Sequence, residues 1–431
     1  MLGWVHSSPW NLLRDLVRVE TNACAMKWSS ALSTRPSLEA AIAEVVEQAQ
    51  AQLGVPADVG FLFVSSAFTS EYARILPLLQ SHLPNVPLIG CNGSGIVGIN
   101  TRGTVREVED EVAINLVLGS LPGVDVHPFY LSLETLPDLD SAPSAWADLV
   151  GLPESGQPQF VLLVDPFSTG INDLLAGLDY AFPQSPKVGG IASSGLTNGS
   201  SGLFCGDRFY RSGAVGIALT GNIVIDTIVA QGCRPIGQPY CVVESERNII
   251  LKMESEAEGS PAQGSPLEML RDLIQTLSEE DKVLAQSALF VGVAQTEFKQ
   301  CLESGDFLIR NLLGFDPREG ALAIGDRIRP GQRIQFHLRD AATSEEDLET
   351  LLRKYQLNGM SHPKPHGALM FACLGRGEAL YGEPNFDSQL FSRYVDQIPI
   401  GGFFCNGEIG PVGATSYLHG FTSVFGIFRE K

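Results

Sequence analysis

The feature that most constrains this chain is a unit of roughly sixty residues written three times. In the first copy, Val59–Gly119, the apolar run Val59–Val64 has the length and β-rich content of a buried strand. A helical stretch around Tyr72–Leu83 then puts Leu76, Leu79 and Leu83 on one face. The loop Pro87-Leu-Ile-Gly90-Cys-Asn-Gly-Ser-Gly95 follows, and the strand Val112–Leu118 closes the copy. The same order returns in Phe160–Gly221, with a strand at Val161–Val164, a helix at Ile171–Phe182, a loop from Pro186 and a strand at Ala214–Leu219. The third copy, Gly367–Phe428, has its strand at Ala368–Cys373, its helix near Phe386–Gln397, a loop from Pro399 and a closing strand at Ser423–Phe428. The pattern Pro-x-x-Gly-x-x-x-x-Gly runs without gaps through the first and third copies. The second keeps Pro186 and Gly189 but has Ser194, with Gly195 one place later. Proline fixes φ where the chain enters a strand, and glycine permits positive φ or a close backbone approach.

This repetition predicts an α/β chain of the mixed α+β kind. Its strand–helix–loop–strand units should form mixed sheets covered by helices, in two packed domains. Between the second and third copies the template fits less well. Ala288–Ala294 and Arg333–Leu338 read as strands, and Ser344–Gln356 as a helix with Leu348, Leu351 and Leu352 inward. Glu254–Pro266 is acidic and rich in Gly, Ser and Pro, which reads as a flexible loop. The expected partition is a disordered extension over 1–26, an N-terminal domain over 27–240 holding two copies, and a C-terminal domain over 241–431 holding the third.

Charge narrows the functional classes. A formal net charge of −20, without a dense Lys/Arg stripe, argues against a nucleic-acid footprint and against an anionic membrane surface. No run of about 18 apolar residues is present, and Arg14, Asp15, Arg18 and Glu20 interrupt the apolar stretch near the N-terminus, so neither a transmembrane helix nor a signal peptide is expected. The expected location is the cytoplasm. The eight cysteines are scattered without a C-x-x-C pair, which fits reduced thiols.

Several motifs dissolve on inspection. Gly93-Ser-Gly95-Ile-Val-Gly98 is formally a G-x-G-x-x-G, but the β-branched, glycine-containing stretch that follows it has no helical period. His362 and His366 flank Pro363 and Pro365, so they cannot share a helical face as metal ligands. No metal site and no catalytic residue is therefore assigned. No cofactor is assigned either, non-covalent haem through one His or Cys standing as the alternative.

Two C-terminal clusters carry more chemistry. Cys373 and Arg376, in Phe371-Ala-Cys-Leu-Gly-Arg-Gly377, could place a thiol beside a guanidinium that also offers a fork to a carboxylate. In Cys405-Asn406-Gly-Glu408-Ile-Gly-Pro411, Glu408 stands among glycines after an apolar strand, an odd place for a carboxylate without a partner. Arg376 is the expected partner, since both belong to loops after strands of one unit, where ligands commonly bind. Arg310 and Asn311 interrupt the apolar stretch Phe307–Gly314 and read as an inward-pointing polar pair.

The segments Phe371–Gly377 (FACLGRG) and Gly402–Gly410 (GFFCNGEIG) resemble the signature of FIST C-terminal domains, and Pro87–Val97 (PLIGCNGSGIV) resembles the matching stretch of FIST N-terminal domains. Arg310–Gly325 and Gly232–Gln238 are similar to the family too, so the resemblance runs from about residue 27 to the end. It extends to the FIST region of a human F-box protein. The resemblance implies an intracellular sensory module, not an enzyme, that binds a small amino-acid-like ligand and acts on a signalling partner supplied in trans. On that reading Arg376 holds a carboxylate and Glu408 an amine or hydroxyl, with Asn406, Asn311 and Arg310 orienting the ligand beside Cys373 and Cys405. The alternatives are an enzyme with Cys373 as nucleophile, His419 approaching it as base, and a haem-binding gas sensor.

Overall fold

A computed structural model describes residues 25–193, 201–256, 262–296, 299, 301, 302, 304–359 and 362–431. Nearly all of the expected extension over 1–26, Ser194 and Gly195 of the second loop, and the centre of the linker Glu254–Pro266 lie outside the described residues.

The repeat is real and larger than its sequence signal, because a strand and a helix precede each unit. The first repeat comprises β1 (Lys27–Ser33), α1 (Leu38–Leu53), β2 (Val59–Ser65), α2 (Tyr72–His82), β3 (Leu88–Gly93), the hairpin β4 (Gly95–Ile99) and β5 (Val105–Glu109), and β6 (Ile114–Ser120). The second comprises β7 (Val124–Leu131), α3 (Pro143–Leu149), β8 (Gln159–Val164), α4 (Ile171–Ala181), β9 (Lys187–Ile191), the hairpin β10 (Leu203–Cys205) and β11 (Arg208–Tyr210), and β12 (Ala214–Gly221). The third opens with β13 (Val224–Ala230) and is then interrupted. The insertion holds β14 (Arg234–Glu246), β15 (Ile249–Ser255), β16 (Gln263–Gly264), α5 (Pro266–Thr276), α6 (Glu279–Leu284), β17 (Leu289–Ala294), β18 (Phe307–Phe315), β19 (Leu322–Ile324) and β20 (Arg333–Leu338). The repeat resumes with α7 (Ala341–Asn358), β21 (Gly367–Cys373), α8 (Glu378–Tyr381), α9 (Phe386–Tyr394), β22 (Ile400–Cys405), the hairpin β23 (Glu408–Val412) and β24 (Thr415–His419), and β25 (Ser423–Arg429).

Each repeat builds the same sheet. Its first two core strands run parallel (β2 with β3, β8 with β9, β21 with β22), and the closing strand lies antiparallel on the far side of the first. The shared glycine of the sequence pattern follows from this parallel contact. A Cβ on Gly90, Gly189 or Gly402 would sit 2.3, 1.8 or 1.9 Å from the carbonyl oxygen of Leu62, Leu162 or Met370 on the neighbouring strand.

The hairpin of each repeat leaves its own sheet. β4 pairs with β22 of the third repeat, β10 with β3 of the first, and β23 with β9 of the second. The three sheets therefore have the same order, β1-β6-β2-β3-β10-β11, β7-β12-β8-β9-β23-β24 and β13-β25-β21-β22-β4-β5, and close in a ring of three exchanges. Polar and aromatic contacts tie each visiting hairpin to its host. Glu107 of β5 accepts the Ser388 amide at 2.7 Å in α9, Asp179 of α4 accepts the Ser416 amide of β24 at 2.6 Å, and the Phe209 ring of β11 lies 6.3 Å from that of Tyr72 in α2. Buried Lys187 completes the second contact by donating to Asp179 at 2.6 Å.

The inner faces of all three sheets meet in one core that includes Phe61, Phe63, Val161, Leu163, Leu369, Phe371 and Phe403. The helices pack on the outer faces, α1 and α2 on the first sheet, α3 and α4 on the second, α7 and α9 on the third. The insertion forms a seven-stranded sheet, β14-β20-β17-β18-β19-β15-β16, with its own core around Ile334, Phe336 and Leu270. The mixed α+β architecture in two packed domains thus has a concrete form, a ring of three exchanged sheets and a seven-stranded sheet beside it.

Candidate functional site

The clusters foreseen around Cys373 and Glu408 meet where the third repeat reaches into the second. Glu408 opens β23, opposite Gly190 of β9. At the equivalent places in the other two exchanges stand Ile96, opposite Phe403, and Leu203, opposite Cys91, and both are apolar core residues. One of three equivalent positions in an apolar core therefore carries a carboxyl group, and it is fully buried. Its Oε2 accepts the Thr422 amide at 3.1 Å, while Oε1 has no hydrogen-bond partner among the described residues. Burial pushes this carboxyl well above the usual carboxylate range, and the Thr422 amide, the field of Arg376, a hydrogen bond with the Cys373 thiol and the field of Arg339 offset only part of that.

Cys373 ends β21 in register with Cys405 on β22, and its thiol interacts with Glu408. Burial, then Glu408, push the thiol up to about 11. It is therefore not the lowered, guanidinium-activated thiol expected from its spacing to Arg376. Cys405 is buried, and its thiol too is pushed well up by burial. Asn406 is exposed, its amide donating to Ile191 O at 3.0 Å.

Arg376 does not pair with Glu408. It is fully buried, donating through Nε and Nη2 to Asp387 at 2.6 and 2.9 Å and from Nη2 to the Tyr381 hydroxyl at 2.5 Å. Burial works against the charge, but Asp387 keeps the guanidinium ionised, its affinity for the proton raised above normal. The sequence hid this partner because Asp387 sits at the start of α9, where an acid reads as an ordinary helix-end residue.

Arg339, directly after β20, was missed for the same reason: a single Arg beside an acid at a strand end carries no pattern. Only 8% of it is exposed. Its Nη2 donates to Gly375 O at 2.9 Å, and the guanidinium lies 5.0 Å above the Phe421 ring. Its Nε has no partner, and among the described residues no carboxylate stands within ion-pair distance of it. Burial, then the like charge of Arg376, lower its hold on the proton.

Arg310 and Asn311 lie elsewhere. Arg310 Nε pairs with Asp326 at 2.6 Å and its Nη1 donates to Leu418 O at 3.1 Å, which fastens the inserted sheet to the β23–β24 hairpin. Asn311 is exposed on β18 rather than inward, because alternate residues of that strand face opposite sides. His419 does not serve Cys373. It is buried, in ring contact with Gly410 O at 3.0 Å, and burial pushes it down to about 4. Among the described residues no group of three His, Cys, Asp or Glu side chains could hold a metal ion, and no helix is long and apolar enough to cross a membrane.

Two family models match this chain. The FIST N domain matches residues 58–256 and the FIST C domain residues 266–411. The chain belongs to the FIST family. Similar relatives are an uncharacterized protein of Mycobacterium tuberculosis, 33% identical over 409 residues and covering 94% of this chain and 100% of the relative, and one of Mycobacterium bovis, 31% identical over 94% of this chain and 99% of the relative. Human F-box only protein 22 is 32% identical over 84 residues, 19% of this chain and 21% of the relative. FIST domains are generally regarded as sensory and signal-transduction domains.

Proposed function

We propose that this FIST chain is an intracellular, cytoplasmic sensor. It binds a small amino-acid-like ligand at the junction of Cys373, Glu408 and Arg339 and acts through a separate signalling partner. The observation that carries the reading is Glu408. A fully buried carboxyl with a free Oε1 replaces the Ile and Leu of the two equivalent positions, and an unsatisfied buried polar group costs stability unless something uses it. Arg339 supports the same reading from the other side, as a buried guanidinium without a carboxylate. In this arrangement Arg339 takes the ligand's acidic end, the role expected of Arg376 before Asp387 was seen to occupy it, and Glu408 takes an amine or hydroxyl. The ring of exchanged strands offers a way to report occupancy, since β23 bridges the second and third repeats and a ligand that favours one seating of it shifts a population.

The test is native mass spectrometry of the purified chain beside its denatured spectrum, followed by a thermal-shift screen of amino acids on the wild type, Glu408→Gln and Arg339→Met. The expected result is a ligand that raises the wild-type melting temperature and loses that effect in both variants. A ligand whose stabilisation survives both substitutions would place the site elsewhere and sink the assignment.

A further inference from the structure

We infer a second binding site, in the second repeat, for a small primary ammonium ion, with Asp165 as its acceptor. The three repeats can be superposed by register. Ser65, Asp165 and Cys373 each stand at the C-terminal end of the first core strand, and each donates its amide to the residue before the closing strand (Ala113, Gly213 and Thr422) at 2.9 Å. Three places further along the chain stand Phe68, Ser168 and Arg376, and directly before those acceptors stand Val112, Ser212 and Phe421. The first repeat thus fills this corner with a buried Phe68, and the third places there the Arg376 guanidinium, whose Nη1 donates to Phe421 O at 3.5 Å. The second has only two serines there.

The space left is a cavity of about 250 Å³ lined by residues that include Asp165, Phe167, Ser168, Thr169, Arg211 and Ser212. That is room enough for a small organic ion. Asp165 is 2% exposed, its Oδ2 accepting the Phe167 amide at 3.2 Å and the Ser168 hydroxyl at 2.9 Å, while its Oδ1 has no hydrogen-bond partner among the described residues. A buried carboxylate oxygen without a donor, beside an open cavity, asks for a donor from outside. In the third repeat the chain supplies its own cation at this corner, Arg376. In the second the equivalent Ser168 supplies none. Glu134 adds a second carboxylate at the rim, and Phe167, 45% exposed, offers an aromatic face to an alkylammonium. The Arg211 guanidinium lies over the Phe209 ring, 5.2 Å from its centre, and the hydroxyls of Thr169 and Ser212 line the cavity where a polar ligand tail would sit, while Ser168 is held between Asp165 and the Gly213 amide.

The experiment is ligand-observed NMR with n-butylammonium as the probe and butyrate as the control of opposite charge. The wild type binds the cation and not the anion. Ser212→Phe, which copies the residue of the third repeat at an exposed position, abolishes binding while the fold is retained, and Asp165→Asn weakens it about tenfold or more. Glu408→Gln leaves butylammonium binding unchanged, which separates this site from the sensory junction. Absence of butylammonium binding to the wild type, equal binding of butyrate, or binding that survives both Ser212→Phe and Asp165→Asn would overturn the assignment.

Discussion

Arg376 grips Asp387 through two hydrogen bonds, 2.6 and 2.9 Å long, with both side chains cut off from water. That closure joins the loop after β21 to the start of α9, and removing one partner leaves the other as a buried, unpaired charge. Arg376→Met and Asp387→Leu should each destabilise the chain by about 3–5 kcal/mol, and the double variant should cost less than the two combined. Chemical denaturation of the four proteins checks this. Additive losses would mean that the pair is not a unit.

Glu408 lends itself to the opposite experiment. Glu408→Ile restores the apolar residue type that the equivalent positions carry, and should raise stability by about 1–2 kcal/mol while ligand binding at the junction is lost. A denaturation midpoint at or below that of the wild type would show that the carboxyl is held by contacts an apolar side chain cannot replace.

Glu107 makes stability depend on pH. Burial, then the neighbouring Asp387, raise its carboxyl from an ordinary 4.5 to about 8 in the folded chain. The folded state therefore holds a proton that the unfolded state gives up near 4.5. Its favourable contribution is complete below that pH and is lost as pH rises toward 8. Glu107→Gln should flatten the pH dependence of the melting temperature across this window and be the more stable protein at its upper end. A wild-type profile level between pH 5 and 8 would contradict it.

The Cys373 thiol, pushed up to about 11, should alkylate slowly at neutral pH and speed up as pH rises toward that value. Exposed Cys301 should react ahead of it. Peptide mapping after iodoacetamide treatment across the alkaline range reads both rates. Fast modification of Cys373 at neutral pH would revive the nucleophile reading.

The sequence carried the repeat because Pro87, Pro186 and Pro399 stand at one spacing from glycines that cannot bear a Cβ. That is a local requirement, repeated wherever the backbone contact recurs. The exchange of hairpins was invisible, since Ile96, Leu203 and Glu408 pair with strands of other repeats and pairing partners leave no mark within one segment. The oddity of Glu408 was readable from its apolar surroundings, whereas its neighbours were not. Asp387 reads as an ordinary helix-end acid and Arg339 comes from the far side of α7, and only the folded chain brings them beside Arg376. Asp165 could have been noticed by aligning the ends of the three first strands, where Ser65, Asp165 and Cys373 fall in one column.

The ring of exchanged hairpins also sets a timetable for biosynthesis. The exposed edge of β9 receives its partner from β23, more than two hundred residues later in the chain. Until the ribosome has released Glu408–Val412, the second sheet presents an unsatisfied strand edge, an invitation to pair with another molecule. The second sheet therefore cannot close as it emerges, and it should depend on chaperones that shield that edge during synthesis. A stop codon before the last hairpin would lose more than one repeat, because it would leave the second sheet without its visiting hairpin and the third without its closing strand.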